Sequence, residues 1–218
     1  MAFNQRTTEA GIQEQWRVAL ENAELQPEIA AKMSELSYDS GKIAEGKALL
    51  AQTRQVYDTN NTEEVETTEA SEKFKTDRKL LEKTFRRHRR KARVVFRKDP
   101  VMQKRLAIDD DVPGAYPKLI ETVTVFYTEA AKPNVLDKLA RMAITADDIS
   151  AGAQLVSTVE TDRADYLREV GESENATQAK DAAMATMQDW MTEFYAVARI
   201  ALEDQPQLLE ALGRSVKS

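Results

Sequence analysis

Six arginines cluster near the middle of the sequence, in a pattern that suits the binding of anions. They lie in segment 73–98, which holds 13 Lys and Arg against two acidic residues and has a net charge of +11. Guanidinium groups bind carboxylate and phosphate oxygens through paired hydrogen bonds, and on a polyanion they also displace counterions. We therefore take this basic segment as the candidate anion-binding element. Its candidate site residues are Arg86, Arg87, Arg89, Arg90, Arg93 and Arg97.

Apolar residues recur through the basic segment at helical spacing, at Phe74, Leu81, Phe85, Ala92 and Val95. This stripe predicts an amphipathic helix whose basic side chains mostly face solvent. Three explanations of the charge stay open: neutralisation by acidic residues of the same chain, binding of nucleic acid or an acidic protein, and binding of an anionic lipid surface. The pI of about 5.1 argues against a general nucleic-acid-binding protein, because such proteins are usually strongly basic.

His88 is the only histidine, and it lies on the apolar stripe between Phe85 and Ala92. A di-iron bundle needs two Glu-x-x-His pairs with two further glutamates, and a catalytic triad needs an acid and a nucleophile beside the histidine. Here arginines surround the histidine, and the chain has no cysteine. We interpret His88 as a residue at the edge of the helix packing.

Other common catalytic and ligand-binding patterns are absent from the sequence. The seven glycines form no Gly-x-Gly-x-x-Gly or Walker-type phosphate loop, and there is no Gly-x-Ser-x-Gly. The acidic run 109–111 is contiguous and lacks the spacing of a calcium loop, so we interpret it as part of a linker. We predict no catalytic, cofactor-binding or metal-binding residue, no cofactor and no enzymatic activity.

An offset of 106 residues aligns the second half of the chain with the first half without a gap. Residues 27–106 and 133–212 share 12 identities in 80 positions, and their apolar positions also coincide. Helical periodicity alone does not align the residues that interrupt helices, so we predict a tandem duplication of a unit of about 106 residues. The aligned interrupting residues are Pro27 and Pro133, Gly46 and Gly152, and Pro100 and Pro206.

The two halves differ in charge. Residues 1–109 hold 21 Lys and Arg against 18 Asp and Glu, a net charge of +3, whereas residues 110–218 hold 10 against 19, a net charge of −9. Where the first copy has the basic segment, the second copy is acidic, so the second half is able to neutralise the basic segment. The acidic residues are Asp181, Asp189, Glu193, Glu203 and Asp204.

Each repeat is predicted to contain four helices. Proline suits the first turn of a helix, and the polar runs 59–64 and 171–175 are turn signals. The glycines inside the second helices, Gly46 and Gly152, indicate close packing of a neighbouring helix backbone rather than a bend at a pocket. The predicted helices are about 9–25, 27–58, 63–98 and a short one after Pro100, then about 115–131, 133–168, 174–204 and a short one after Pro206.

These patterns predict an all-α fold: an elongated bundle of long antiparallel helices with pseudo-two-fold symmetry. The predicted domains are repeat 1 over 1–108, a linker over 109–114 and repeat 2 over 115–218, and it stays open whether the repeats pack as one bundle. There is neither a signal-peptide pattern nor an apolar run of roughly 18 residues, the length of a membrane span, so we expect a cytoplasmic protein.

Duplicated long helices without catalytic residues are typical of scaffold and interaction proteins. We therefore expect a non-catalytic helical interaction or scaffold protein whose partner is another protein or a second copy, as in a homodimer. One alternative is an anion-binding protein that uses the basic segment on nucleic acid or on an acidic partner. A second alternative is a binder of apolar small molecules or lipids, with a cavity between the repeats.

Overall fold

The structure is a computed structural model that describes residues 8–215, and the regular structure in this range is helical, with no strand. The all-α prediction is confirmed. None of the helices in residues 8–215 is both long enough and apolar enough to cross a membrane. The helices are α1 (Glu9–Leu25), α2 (Pro27–Ser34), α3 (Ser40–Val95), α4 (Pro100–Arg105), α5 (Tyr116–Ala130), α6 (Pro133–Leu139) and α7 (Ala146–Ala201), with 3₁₀ turns at Ala140–Met142 and Pro206–Leu212.

The second predicted helix stops after two turns. α2 has eight residues, and Ser37 then takes a left-handed conformation with φ of 64°. The Asp39 carboxylate accepts a hydrogen bond from the backbone N–H of Lys42 at 3.0 Å and so caps the start of α3. The prediction of one helix from Pro27 to about residue 58 is wrong, because the polar cluster at 37–41 supplies both a turn and a cap.

The predicted turns at 59–64 and 171–175 are also wrong, because α3 and α7 continue through them as helices of 56 residues each. In α3 the hydroxyl groups of Thr59 and Thr62 donate to the carbonyl oxygens four residues earlier, at 3.0 and 3.1 Å. Polar side chains that often favour turns are therefore satisfied within the helix.

The described chain divides into two compact units, each of which contains residues of both predicted repeats. Unit 1 comprises Met1–Glu64 with Glu172–Ser218, and unit 2 comprises Val65–Gly171. Both boundaries fall inside long helices, so α3 and α7 each contribute one part to each unit. Unit 2 thus combines the second part of repeat 1 with the first part of repeat 2.

Unit 1 has an apolar core formed by α1, α2, the first part of α3 and the last part of α7. Burial of each large side chain stabilises the fold by about 1.5–3 kcal/mol. Gly46 faces the Trp190 ring, and a Cβ on this glycine would lie 2.3 Å from a ring carbon. The close neighbour is thus an aromatic ring and not a helix backbone as expected. The most deeply buried residues include Leu20, Ile29, Met33, Met187, Met191, Phe194 and Leu212.

Unit 2 has a second core, formed by the last part of α3, by α4, α5 and α6, and by the first part of α7. Gly152 on α7 faces the Tyr127 ring in the same way as Gly46 faces Trp190. The core fixes the rotation of α3, and hence the direction of every basic side chain on this part of the helix. The most deeply buried residues include Leu81, Phe85, Leu106, Leu119, Val123, Phe126, Leu139 and Val159.

α3 packs against α7 within each unit. In unit 1 the Thr177 hydroxyl donates to the Asn60 side-chain oxygen at 2.9 Å. In unit 2 the Thr67 hydroxyl donates to the Glu169 backbone carbonyl at 3.1 Å. Polar side chains therefore accompany the apolar contacts of the two long helices.

Candidate anion-binding cleft

Residues 73–95 of the basic segment lie on the part of α3 that belongs to unit 2, and residues 96–98 form the turn that follows. Its lysines, arginines, leucines and glutamate are strong helix formers, and Leu81, Phe85 and Ala92 attach it to the core. The basic residues three, four and seven positions apart therefore project from one side of the helix. The core contacts fix the orientation of the helix, and the helical spacing places the basic side chains on one side of it.

An open cleft of about 660 Å³ lies on this side of α3. Five basic side chains line it, whereas one acidic and one apolar residue contribute to its wall, so the cleft carries a clear excess of positive charge. The lining residues are Lys79, Lys83, Arg86, Arg89 and Arg90, with Glu82 and Val112.

Arg89 is the buried member of this group, with only 7% of its surface exposed. Its Nη2 donates to the Ile108 carbonyl oxygen at 3.3 Å, but its buried Nε has no hydrogen-bond partner among residues 8–215. A buried donor without an acceptor is unfavourable, and a buried charge without a counter-ion is more so. The cleft thus contains a buried cation with unused hydrogen-bonding capacity.

Arg89 is an exception to the prediction that the basic side chains mostly face solvent. This residue stands four positions after Phe85 and seven before Phe96, so it occupies a position of the apolar stripe. Helical spacing alone therefore signals that Arg89 points toward the core.

Electrostatics around Arg89 favours an added anion. Burial lowers the pKa of the Arg89 guanidinium, and the positive charge of Arg93 lowers this pKa further, whereas Asp111 and Asp109 oppose the shift. Arginine nevertheless stays protonated at neutral pH. The destabilised positive charge therefore persists, and an oxyanion beside it would offset the unfavourable energy.

Arg93 has a different role, because backbone carbonyls already occupy its guanidinium. Its Nε donates to the Ile108 carbonyl at 2.5 Å, and its Nη2 donates to those of Asp109 and Asp110 at 2.8 and 3.3 Å. Arg93 holds the segment after α4 against α3. This segment carries Val112, so Arg93 positions one wall of the cleft.

The remaining candidate arginines are exposed, and they divide between two sides of α3. Arg86 and Arg90 line the cleft, and Arg86 lies 3.9 Å from the Glu82 carboxylate. Arg87 points elsewhere, with its Nη2 3.5 Å from Nε2 of His88. Arg97 lies outside the cleft and lines a separate, smaller one. The structure thus brings Arg86, Arg89 and Arg90 together, and it places Arg87, Arg93 and Arg97 apart from them.

The basic segment also donates hydrogen bonds to groups outside α3. Most of these acceptors are backbone carbonyls rather than acidic side chains. Within residues 8–215, Lys73 forms a salt bridge with Asp162. Arg78 instead donates to the Gly114 carbonyl at 2.9 Å, and Lys91 donates to that of Ala143 at 3.0 Å. The cleft cations Lys79, Lys83, Arg89 and Arg90 form no salt bridge in the described part of the chain.

His88 lies in the core of unit 2, away from the cleft. It is 2% exposed, and its Nδ1 is 3.2 Å from the Tyr127 hydroxyl. Burial lowers the pKa of His88, and the nearby Arg87 acts in the same direction. A buried, neutral imidazole paired with a tyrosine fits a packing role.

A third cleft, of about 340 Å³, has mostly small and apolar walls, among them Leu136 and Ile149 on α6 and α7. It lies within unit 2 and is formed by helices of the second repeat alone. The expected apolar cavity between the repeats stays a prediction.

Comparison of the chain with protein-family models, with curated proteins and with solved structures found no match.

Proposed function

We propose that this chain is a non-catalytic helical interaction protein, and that it holds an anionic group of its partner in the cleft of unit 2. The observation that carries this proposal is Arg89, whose buried guanidinium has an unpartnered Nε on the wall of a basic cleft. Leaving this donor unsatisfied is unfavourable, and a ligand oxygen would satisfy it.

Guanidinium groups in a concave site recognise planar or tetrahedral oxyanions. Arg89 would supply a fixed donor, and the exposed Arg86 and Arg90 would close around the anion from the same side of the helix. A carboxylate and a phosphate share this chemistry, so the geometry supports an oxyanion as the ligand group.

An acidic protein segment fits this cleft better than a nucleic acid does. The whole chain is acidic, with a net charge of −6, and unit 1 contributes −9 of that charge, so it would repel a long polyanion. Among the residues that the structure describes, no aromatic side chain lines the cleft to stack on a base, whereas Val112 offers an apolar contact.

The test is binding of fluorescent poly-glutamate, single-stranded DNA and RNA, measured by anisotropy across a salt titration. The key variant is Arg89→Met, which keeps the aliphatic stem and removes the charge. Arg105→Met is the matched control, because it removes the same charge from an exposed position on α4, outside the cleft. We expect poly-glutamate to bind with a steep salt dependence, and Arg89→Met to weaken binding by roughly tenfold or more, while Arg105→Met changes it little.

Three outcomes oppose this proposal. Equal loss of binding in both variants would indicate general charge attraction, and no binding to any polymer would reject the anion site. Tighter binding to DNA or RNA than to poly-glutamate would replace the acidic protein with nucleic acid as the partner. Circular dichroism of each variant verifies that the helices are intact.

We also propose that the chain arose by tandem duplication, with pseudo-two-fold symmetry. The offset of 106 residues relates α3 to α7 at both of their ends. It also relates the residues with positive φ, because Ser37 pairs with Ala143 and Ala107 with Gly213. Such residues end helices at defined points, so their agreement supports a common origin.

The long helices are further proposed to be antiparallel. In unit 2, Thr67 bonds to Glu169, whereas Lys73, six residues later, pairs with the earlier Asp162. Later residues of α3 thus meet earlier residues of α7, which is the contact order of antiparallel helices.

A further inference from the structure

A second surface of the basic segment combines charge with an exposed apolar residue. At its centre is Val94, which is 54% exposed. Four exposed cations flank Val94: Lys83 and Arg87 precede it on α3, and Arg97 and Lys98 follow it in the turn after the end of α3. This basic surface consists of Lys83, Arg87, Val94, Arg97 and Lys98.

The end of α7 and the turn after it carry a surface with the same arrangement along the chain and the opposite charge. Every position is offset by 106 residues from the basic surface, each cation is replaced by an acid, and the apolar centre is Ile200, which is 61% exposed. This acidic surface consists of Asp189, Glu193, Ile200, Glu203 and Asp204. All of its acidic residues are exposed, and in residues 8–215 no charged group of either surface forms a salt bridge.

The basic surface also includes a depression beside its apolar residue. A cleft of about 310 Å³ is lined by Val94, Arg97 and Lys98, together with Arg141 and Met142. This volume exceeds that of an isoleucine side chain. The acidic surface offers such a side chain, because Ile200 projects into solvent.

We propose that copies of this chain associate head to tail, with the acidic surface of one copy docked on the basic surface of the next and Ile200 in the cleft beside Val94. An apolar centre within a charged rim is the usual composition of an interface. Identical surfaces repel each other, whereas the basic and acidic surfaces attract, so the charges select the head-to-tail arrangement. Each copy retains one free surface of each sign, which makes the assembly extendable.

This proposal does not depend on the function of the Arg89 cleft. The basic surface shares Lys83 with that cleft but excludes Arg89. Arg89→Met should therefore leave self-association unchanged while it removes poly-glutamate binding, so the failure of one proposal is distinguishable from the failure of the other.

The test is sedimentation velocity over a concentration series at about 50 mM and about 500 mM salt. We expect association of the wild type at low salt that weakens at high salt. Two variants neutralise one surface each, because two of its four charges change sign: Arg87→Glu with Arg97→Glu, and Glu193→Arg with Glu203→Arg. Each variant alone should raise the dissociation constant roughly tenfold or more, because a neutral surface then faces a charged one.

The decisive sample is the equimolar mixture of the two variants. One variant keeps the acidic surface intact and the other keeps the basic surface intact, so the two should pair in the mixture although neither variant associates with itself. Recovery in the mixture also demonstrates that both variants are folded. A wild type that stays monomeric at low salt, association that is insensitive to salt, or a mixture that does not recover would each overturn the proposal.

Discussion

Gly152 lies so close to the ring of Tyr127 that a Cβ on this glycine would fall 2.1 Å from two of the ring carbons. Tyr127 is itself 2% exposed, and its hydroxyl is 3.2 Å from Nδ1 of His88. The ring therefore has little freedom to move away, and the absence of a side chain at Gly152 is a packing requirement of unit 2.

We predict that Gly152→Ala lowers the free energy of unfolding by about 1–3 kcal/mol, because the methyl group must displace a buried ring. Gly171→Ala is the matched control in the same helix, since a Cβ on Gly171 would have no described atom within 4 Å outside its own stretch of helix. That substitution should raise the stability by about 0.5–1 kcal/mol, because alanine favours the helix. Urea denaturation followed by circular dichroism measures both, and an equal effect of the two changes would contradict the packing argument.

A second prediction concerns the continuity of α3. Asn61 is exposed, so a substitution there acts mainly on the backbone. Asn61→Pro should lower the free energy of unfolding by about 3 kcal/mol or more, because proline removes a helical hydrogen bond and clashes with the preceding turn. Asn61→Ala should be slightly stabilising. If the proline variant were as stable as the wild type in urea denaturation, residues 59–64 would form a turn after all.

The sequence predicted the helices that begin at a proline. It did not predict that α3 and α7 run without interruption. Pro27, Pro100 and Pro206 stand at helix starts in the structure, because proline acts locally through its fixed φ. The polar run 59–64 was wrongly predicted to be a turn, because the side chains of threonine and asparagine form hydrogen bonds with the backbone either in a turn or inside a helix. Tertiary packing decides between the two.

Arg93 is expected to contribute to stability, whereas Arg90 is not. Arg93→Met removes three hydrogen bonds to backbone carbonyls and should cost about 1–3 kcal/mol of unfolding free energy. Arg90→Met removes an exposed charge and should change stability by less than about 0.5 kcal/mol. Thermal and urea denaturation of both variants give the comparison, and equal stabilities would argue against a positioning role for Arg93.

The stability of the protein should depend on pH through His88. The pKa of this histidine in the folded state lies below its ordinary value of 6.5, first because of burial and then because of Arg87. The unfolded chain therefore binds more protons as the pH falls below 6.5, so this group makes stability decline with acidification. The variant His88→Gln lacks this contribution to the pH dependence. Its free energy of unfolding, measured by urea denaturation at a series of pH values, should therefore vary less with pH than that of the wild type. Parallel profiles would exclude a role for this histidine.

Only part of the candidate site was accessible from the sequence. The density of arginines indicated the anion-binding element. The spacing of Arg89 in the sequence, four residues after Phe85 and seven before Phe96, indicates its burial. The wall that faces α3 could not be predicted, because Val112, which lines the cleft, and Ile108, whose carbonyl accepts a hydrogen bond from Arg89, lie on a loop whose path depends on tertiary packing. The different surroundings of Arg89 and Arg93 follow from the position of this loop.

Unit 2 is formed by one stretch of the chain and unit 1 by two, so the two units are completed at different times during synthesis. Unit 2 is one continuous stretch, so all of its partners are present once Gly171 has left the ribosome. Unit 1 joins α1 and α2 to residues from Glu172 onward, so these two helices complete their core only after the last part of α7 has been made. The apolar side chains of α1 and α2 that contact α7 stay uncovered while the intervening residues are translated, and in this interval the nascent chain needs protection from aggregation.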